Sequence, residues 1–147
     1  MHVAQILAHK GNDVASVLPD DTVGTAVAML GELRIGALMV SSLPGRIDGI
    51  VSERDVVRRL ASDGPALLEQ PVSEIMTPEV FTCAVGDTVQ QLMERMTEHR
   101  IRHLPVCGDD GLLVGIISIG DVVKWRVNEL EDEARHLQGY ISGTGYA

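Results

Sequence analysis

The sequence predicts an α+β fold made of two consecutive β-α-β-β-α repeats followed by a C-terminal helical tail. Residues 21–60 align without a gap on residues 87–126, and fifteen of the aligned pairs are identical. The stretch Gly-Ile-Val-Ser-Glu-Arg-Asp-Val-Val at 49–57 returns as Gly-Ile-Ile-Ser-Ile-Gly-Asp-Val-Val at 115–123. An internal period of this length indicates a duplicated supersecondary unit whose two copies bury a common face.

The elements of the first repeat follow from hydrophobic spacing and turn residues. We expect a short helix over 3–9, and a second helix from about Thr22 to Leu33 that Asp20-Asp21 caps. Apolar residues of the second helix recur at i, i+3, i+4 and i+7, the spacing of one buried face. The remaining predicted elements are strands over 14–17, 37–41 and 47–51, and a helix over 53–61 that ends before Gly64-Pro65.

The second repeat has the same pattern after a linker with short helical signals. Its predicted elements are strands over 80–83, 103–107 and 112–118, a helix over 88–99, and a last helix from Ile119 past Leu137. Each repeat is therefore a three-stranded sheet covered by two helices. We divide the chain into a first repeat with N-terminal helix and linker (1–71), a second repeat (72–126) and a helical tail (127–147).

The tail alternates acidic residues with apolar ones. Leu130, Ala134 and Leu137 lie at spacings that give a helix a weak apolar edge. Such an edge is consistent with a solvated terminal helix and equally with an oligomer contact.

Each repeat places Ser-x-x-Asp between a strand and a helix, as Ser52 to Asp55 and as Ser118 to Asp121. A helix N-terminus carries free N–H groups and positive dipole character, so this junction can hold an anion. A carboxylate accepts hydrogen bonds only, and it can take both hydroxyls of a cis-diol. The same residues also form a helix-capping pair, so the motif alone leaves a structural and a ligand-binding interpretation open.

The overall charge argues against nucleic acid as a partner. The formal net charge is -9, and the chain has one Trp, one Phe and two Tyr. Nucleic-acid sites need a basic footprint, and single-strand sites also need aromatic rings on which bases stack. The basic residues nevertheless gather after the strands, either as solvated surface or as a local positive pocket for a small anion: Arg54, Arg58, Arg59, Arg100, Arg102, His103, Lys124 and Arg126.

Membrane and metal functions are also disfavoured. No apolar run approaches the ~20 residues of a membrane helix, and the N-terminus has no signal-peptide pattern, so we expect a cytoplasmic protein. Cys83 and Cys107 have no metal or redox spacing and are expected to be small buried hydrophobes. His99 and His103 are separated by the predicted helix end at Arg100, which argues against a helical metal pair.

No motif predicts an enzyme. The sequence has no Gly-x-Ser-x-Gly elbow, no Walker loop and no His-Glu-x-x-His helix, and its cysteines have no recognisable catalytic context. We therefore expect a protein that acts by binding.

Together these motifs resemble tandem CBS domains over nearly the whole chain, as in small stand-alone bacterial CBS-pair proteins. The matching motifs are Ser-Glu-Arg-Asp at 52–55, Glu-Ile-Met-Thr at 74–77, Arg-Ile-Arg-His-Leu-Pro-Val at 100–106 and Ser-Ile-Gly-Asp at 118–121. The resemblance implies a Bateman module, in which two repeats pack about a pseudo-twofold axis. It also implies two clefts for adenosine-containing ligands such as AMP, ADP, ATP, NAD or S-adenosylmethionine, and association into a disc-shaped homodimer.

The resemblance also implies residue roles. The last Asp of the motif holds the ribose diol in such proteins, which assigns Asp121 and Asp55 to ribose. Ser118 and Ser52 then lie near ribose or phosphate. Family members often contact the base from the first strand of each repeat, and the remaining two candidates, Thr82 and Ser16, fall on those strands.

The flanking residues favour the second repeat. Arg102 and His103 lead into its middle strand, where the first repeat has Gly36 and Ala37. Arginine offers a planar fork for phosphate, and histidine a titratable donor. The first repeat has Arg54 just before its aspartate. We expect at most one well-formed nucleotide site, with Asp121 contributing more than Asp55.

The predicted function is thus that of a non-catalytic regulatory module. It would bind AMP, ADP, ATP or NAD between two repeats and act as an energy or redox sensor for an unknown regulated partner. The alternative is a constitutive protein-interaction or dimerisation module whose ligand clefts are vestigial.

Overall fold

The computed structural model describes residues 1–141, which form two three-stranded sheets with flanking helices. The first half contains α1 (Val3–Lys10), β1 (Ser16–Val17), α2 (Val23–Leu33), β2 (Ala37–Val40), β3 (Gly49–Ser52) and α3 (Glu53–Asp63). Short 3₁₀ turns at Gly64–Glu69 and Val72–Glu74 lead into the second half. That half contains β4 (Cys83–Ala84), α4 (Val89–His99), β5 (His103–Cys107), β6 (Leu113–Ser118) and α5 (Ile119–Ile141).

Both sheets have the same topology. In each, the first strand runs parallel to the middle strand, and the third strand runs antiparallel to it. The β-α-β-β-α order follows in both halves, and α5 extends the second half as a helical tail. The predicted α+β fold class is confirmed.

The duplication is visible in the backbone at single-residue precision. Thr22 and Thr88 are the N-caps of α2 and α4, and each side chain accepts a backbone N–H three residues on. Arg34 and Arg100 end these helices, both in the left-handed conformation with φ of 54°. The offset of 66 found in the sequence therefore relates equivalent structural positions.

The prediction that Asp20-Asp21 caps α2 is wrong. Thr22 caps it, with its Oγ1 accepting the Thr25 N–H at 3.1 Å. Asp21 lies one residue too early and closes the preceding turn, where its carboxylate accepts the Leu18 N–H at 2.9 Å.

The first strand of each repeat is shorter than predicted. β1 begins at Ser16 rather than at residue 14, and β4 begins at Cys83 rather than at residue 80. Before β4, Thr77 forms an isolated antiparallel bridge with Ile50 of the first repeat. Residues 77 and 79–81 then line a cavity between the repeats.

Each repeat buries apolar residues of the segment that precedes the other repeat in its own core. We call these two segments the exchanged segments. Val3, Ile6 and Leu7 of α1 are buried in the core of the second repeat, although the predicted division assigned this helix to the first unit. Leu67, Val72 and Ile75, which lie between α3 and β4, are buried in the core of the first repeat. Neither core is complete without chain from outside its own repeat.

Close approach of these exchanged segments explains two glycines. A Cβ at Gly115 would lie 2.6 Å from Leu7 Cδ2, and one at Gly49 would lie 2.9 Å from the Thr77 carbonyl oxygen. Real Cβ atoms do not come this close to neighbours, so a side chain at either position would push the exchanged segment away.

The cysteines carry no visible redox or metal chemistry. Cys83 is buried, and burial raises the pKa of its thiol to about 12. Cys107 is half-buried, and both thiols are free. Over residues 1–141, no cluster of His, Cys, Asp and Glu could hold a metal ion. In the same range, no helix is both long enough and apolar enough to cross a membrane.

Candidate functional site

Both Ser-x-x-Asp motifs form helix caps. The Asp55 N–H donates to Ser52 Oγ at 3.3 Å, and the Ser52 N–H donates to Asp55 Oδ2 at 2.9 Å. Ser118 and Asp121 repeat this arrangement with distances of 3.2 and 2.9 Å. The capping interpretation is therefore correct for both copies. It uses only Oδ2 of each aspartate, and within the described residues 1–141 Asp55 Oδ1 has no hydrogen-bond partner.

A cavity of about 580 Å³ lies between the repeats, beside the junction of β3 and α3. One wall is the start of α3 in the first repeat, and the other comes from residues 77–81 and 100–103 of the second. Five of the nine residues proposed from the sequence line this cavity: Ser52, Arg54, Asp55, Arg102 and His103.

The other four candidates lie elsewhere. Ser118 and Asp121 occupy the β6–α5 junction, which we call the second junction. Ser16 is an exposed residue of β1, and Thr82 is exposed just before β4. None of these four is among the residues that line the cavity.

Four arginines line the cavity: Arg54, Arg58, Arg100 and Arg102. In the part of the chain that the structure describes, their side chains make no ion pair and no hydrogen bond. By contrast, six of the other Lys and Arg side chains are in ion pairs: Lys10, Arg46, Arg59, Arg95, Arg126 and Arg135. Three carboxylates, of Glu53, Asp55 and Glu79, line the same cavity, so its four arginines leave a small excess of positive charge in a protein with a formal net charge of -9.

The two other basic residues without ion pairs occupy positions equivalent to two of the cavity arginines. Lys124 is the equivalent of Arg58, and Arg34 is the equivalent of Arg100. Arg54 and Arg102, however, correspond to Gly120 and Gly36. The first cavity therefore has twice the number of cationic side chains that the equivalent positions of the second junction would supply.

An aromatic ring completes the cavity wall. Phe81, the single phenylalanine of the chain, lines the cavity and is 49% exposed. Its ring stacks on His99, with 3.9 Å between centroids and 16° between planes. Val80 and Ile101 add apolar surface beside it. Sequence analysis missed these three, although an exposed Phe in a chain so poor in aromatic residues is a signal that could have drawn attention.

His103 lies between the cavity and the second junction. Its ring is close to Gly36, where an added Cβ would be 3.3 Å from His103 Cε1. Burial lowers the pKa of His103, and the charge of Lys10 lowers it further, against the opposing effect of Glu53 and Asp121. The imidazole is accordingly neutral at pH 7 and offers one donor and one acceptor rather than a charge.

At the second junction, the side-chain ammonium group of Lys10 lies beside Asp121. Lys10 Nζ donates to Asp121 Oδ2 at 2.6 Å and to the Ile116 carbonyl at 2.8 Å. In the first repeat the equivalent carbonyl of Ile50 accepts the Thr77 N–H at 2.8 Å. Burial alone would raise the pKa of Asp121, but the hydrogen bonds from Lys10 and Ser118 outweigh it and lower the pKa.

This contact bears on the expectation that Asp121 contributes more to ligand binding than Asp55. Oδ1 has no hydrogen-bond partner within residues 1–141 in either aspartate, but Asp121 carries Lys10 on its Oδ2, whereas Asp55 has no cation bound and lies at an open cavity. Arg102 and His103 of the second repeat line that cavity together with the aspartate of the first repeat.

We expect Lys10→Met to lower the free energy of unfolding by about 1 kcal/mol near neutral pH, since Met keeps the apolar stem and removes the charge. The folded-state pKa of Asp121 is lowered, so its contribution is present above the unfolded pKa of about 3.9 and is lost as pH falls through the folded pKa. The difference in melting temperature between variant and wild type should therefore shrink on acidification. Melting curves between about pH 7 and about pH 3 measure it.

Arg135→Met is the control, because Arg135 makes only exposed contacts at 3.8 and 4.0 Å with its own helix. It should leave the melting temperature nearly unchanged. A Lys10→Met difference that is absent at neutral pH, or that does not vary with pH, would show that the ion pair contributes nothing.

The CBS-domain family model matches residues 3–62 and 72–128. The mitochondrial CBS domain-containing protein CBSX3 of Arabidopsis thaliana is 40% identical over 132 residues, which is 86% of this chain and 63% of that protein.

Solved structures of CBS-domain proteins superpose on this chain. The CBS-domain containing protein ATU1752 from Agrobacterium tumefaciens superposes with a TM-score of 0.82 at 47% identity, covering 86% of this chain and 99% of that chain. The CBS domain protein PAE2072 from Pyrobaculum aerophilum, complexed with AMP, gives 0.74 at 28% identity, with 82% and 89% covered.

Two α+β repeats that share a cleft lined from both sides define a tandem-repeat module. The family model matches once in each half of the chain. The chain belongs to the CBS-domain family and contains two CBS repeats.

Proposed function

We propose that this protein is a non-catalytic regulatory module that binds an adenosine-containing nucleotide in the cavity beside Asp55. The candidates are AMP, ADP, ATP and NAD, and the module would act as an energy or redox sensor. One observation carries the proposal: a carboxylate with a free oxygen and four arginines without ion pairs to any of residues 1–141 line the same cavity of about 580 Å³. The AMP complex of the related PAE2072 supports an adenylate as the ligand class.

Asp55 is assigned to the ribose. Its Oδ2 is fixed by the Ser52 N–H and hydroxyl, at 2.9 and 3.0 Å, which orients the carboxylate and leaves Oδ1 available. A cis-diol can then donate to this carboxylate through charge-assisted hydrogen bonds, each of about 1.5–3 kcal/mol.

The arginines are assigned to phosphate. Arg54 and Arg58 lie one turn apart on α3, and Arg100 and Arg102 face them from the second repeat. Guanidinium groups bind phosphate through two parallel hydrogen bonds, and the N-terminus of α3 adds favourable dipole character. This much positive charge favours ADP, ATP or the diphosphate of NAD over AMP. It disfavours S-adenosylmethionine, whose sulfonium is itself cationic.

Phe81, Val80 and Ile101 are assigned to the base. Together they offer an aromatic face and aliphatic surface on the side of the cavity formed by the second repeat. Stacking and apolar burial hold a purine without selecting its hydrogen-bonding edge.

Such a ligand would touch both repeats at once, and this gives a route to signalling. The ribose contact comes from the first repeat, while the base contact and two of the arginines come from the second. A ligand shifts a conformational equilibrium only through different affinities for the two states, and contacts on both walls supply that difference if the repeats move relative to each other. The proposal includes a homodimer and a regulated protein partner, which would respond to the conformation that the ligand favours.

The competing function is a constitutive dimerisation module. The hydrogen bond from Lys10 to Asp121 at the second junction favours this function, because in a vestigial cleft a side chain of the protein itself can take the place of a ligand. The first cavity argues against it, since its four arginines outnumber its three carboxylates and make no ion pair within residues 1–141.

Isothermal titration of nucleotide-free protein tests the proposal, with AMP, ADP, ATP, NAD and S-adenosylmethionine as separate ligands. We expect one site per chain, with ADP, ATP or NAD bound most tightly and S-adenosylmethionine most weakly. Ligand at 100 times the dissociation constant should also add about 2.7 kcal/mol to the free energy of unfolding. No heat and no thermal shift with any of the five would reject the sensor and favour the constitutive module.

A further inference from the structure

Helix α5 continues well beyond the second repeat. It runs to Ile141, whereas the family match ends at residue 128. Val122 is buried and Trp125 packs edge-on against His9 with 5.5 Å between ring centroids, so the first turns lie against the body of the protein. Every residue from 130 to 138 is exposed. The last thirteen residues of the helix would extend about 20 Å.

One face of α5 has the apolar spacing of a coiled coil. Six positions spaced alternately by four and three residues are all apolar: Val123, Val127, Leu130, Ala134, Leu137 and Ile141. All six are exposed, and the large ones range from 45% for Val127 to 82% for Ile141. We call this row the α5 seam. It faces away from Val122 and Trp125 by more than a quarter turn of the helix.

An isolated helix of this length is marginal in water, and exposing a continuous apolar seam adds a further cost. The salt bridges of Arg135 with Glu131 and Asp132, at 4.0 and 3.8 Å, are exposed and add little. The seam therefore needs a partner helix to be stable in this conformation.

We propose that the α5 seam pairs with the same seam of a second copy of this chain as a parallel two-stranded coiled coil. In heptad terms, the a positions hold Val127, Ala134 and Ile141, and the d positions hold Val123, Leu130 and Leu137. β-Branched residues at a with Leu at d favour two parallel strands.

The flanking charges agree with a parallel orientation. Residues at g face residues five positions later in the partner, which sets Arg126 against Glu131 of the partner subunit and Glu133 against Gln138 of the partner subunit. An antiparallel pair that keeps all six apolar layers would instead set Glu131 against Glu131 of the partner subunit, and Glu133 likewise against its own copy. Like charges in these positions repel, so the seam is complementary to itself in the parallel orientation only.

This inference gives the proposed homodimer a definite contact surface and does not depend on nucleotide binding. The test is the mass of the full chain by sedimentation equilibrium. Wild type should be dimeric at micromolar concentration, and Leu130→Asp with Leu137→Asp should sediment as a monomer. The control Asn128→Asp with Arg135→Asp places two carboxylates at the same seven-residue spacing away from the seam, and it should remain dimeric.

The orientation has its own readout. Leu137→Cys should form a disulfide between two chains under mild oxidation, because a d position faces itself in a parallel pair. In the antiparallel arrangement Leu137 would face Val127 of the partner subunit, and no such disulfide would form. Wild type under the same oxidant shows whether Cys107, the half-buried native thiol, contributes.

A monomeric wild type, or a dimer that survives the double Asp substitution, would overturn the proposal. Nucleotide titration of the monomeric variant separates the two inferences. Unchanged affinity with lost dimerisation supports both, while a wild-type dimer that binds no nucleotide and dissociates on the double Asp substitution supports the seam and rejects the sensor.

Discussion

Replacing Asp55 with asparagine is expected to weaken ATP or NAD binding by roughly 10- to 100-fold, because neutral hydrogen bonds to the ribose replace charge-assisted ones and the loss is about 1.4–2.8 kcal/mol. The fold should survive, since an asparagine oxygen can still accept the Ser52 N–H that now bonds Asp55 at 2.9 Å. Titration calorimetry measures the affinity, and a melting curve in the absence of ligand checks stability.

Asp121→Asn is a closely matched control. It changes the same group in the same cap, where the Ser118 N–H donates at 2.9 Å, but Lys10 already occupies this carboxylate. Affinity should fall much less than for Asp55→Asn. A larger loss in Asp121→Asn would move the ribose site to the second junction, and no loss in either variant would leave both aspartates as caps alone.

Removing two of the cavity arginines, as Arg54→Ala with Arg58→Ala, is expected to lower the affinity for ATP by roughly 10- to 100-fold and to leave adenosine affinity nearly unchanged. The lost contacts are charge-assisted bonds to phosphate, which adenosine lacks. Both positions lie on exposed helix surface, where alanine maintains helicity. The two ligands are titrated in parallel at low and high salt, because only the phosphate contribution should weaken with ionic strength.

Lys124→Ala serves as the comparison for this pair. Lys124 is the equivalent of Arg58 in the second repeat and likewise makes no ion pair within residues 1–141. Its loss should not affect ATP binding if one cavity binds the nucleotide. Equal losses for ATP and adenosine in the double arginine variant would indicate distortion of the cavity rather than a phosphate contact.

Much of the fold was predictable because the sequence repeats itself. Turn residues and apolar spacing gave helices α2 to α4 within about two residues, and the repeat confirmed each element independently. The errors fell where tertiary contacts override local pattern. Helix α1, for example, packs in the core of the second repeat, although the first repeat follows it directly in the chain.

The site was predictable in residue type and not in arrangement. Basic residues were recognised in both repeats, but only folding brings Arg54 and Arg58 of one repeat to Arg100 and Arg102 of the other. The choice between the two aspartates depended on Lys10, which lies 111 positions from Asp121. No local spacing encodes a contact at that separation.

The exchange of leading segments has a consequence for how the chain acquires its structure. Helix α1 is made before both sheets, yet its apolar residues are buried in the core of the second repeat, whose strands and helices leave the ribosome much later. The first repeat can complete its core once Leu67, Val72 and Ile75 have emerged, while the N-terminal helix still lacks its binding surface. Folding can therefore proceed in two steps, with the first core closing once these residues have emerged and the second core, with α1, closing only after β6. A fragment that ends before Leu67, or one that begins after Lys10, should yield a repeat with an incomplete core.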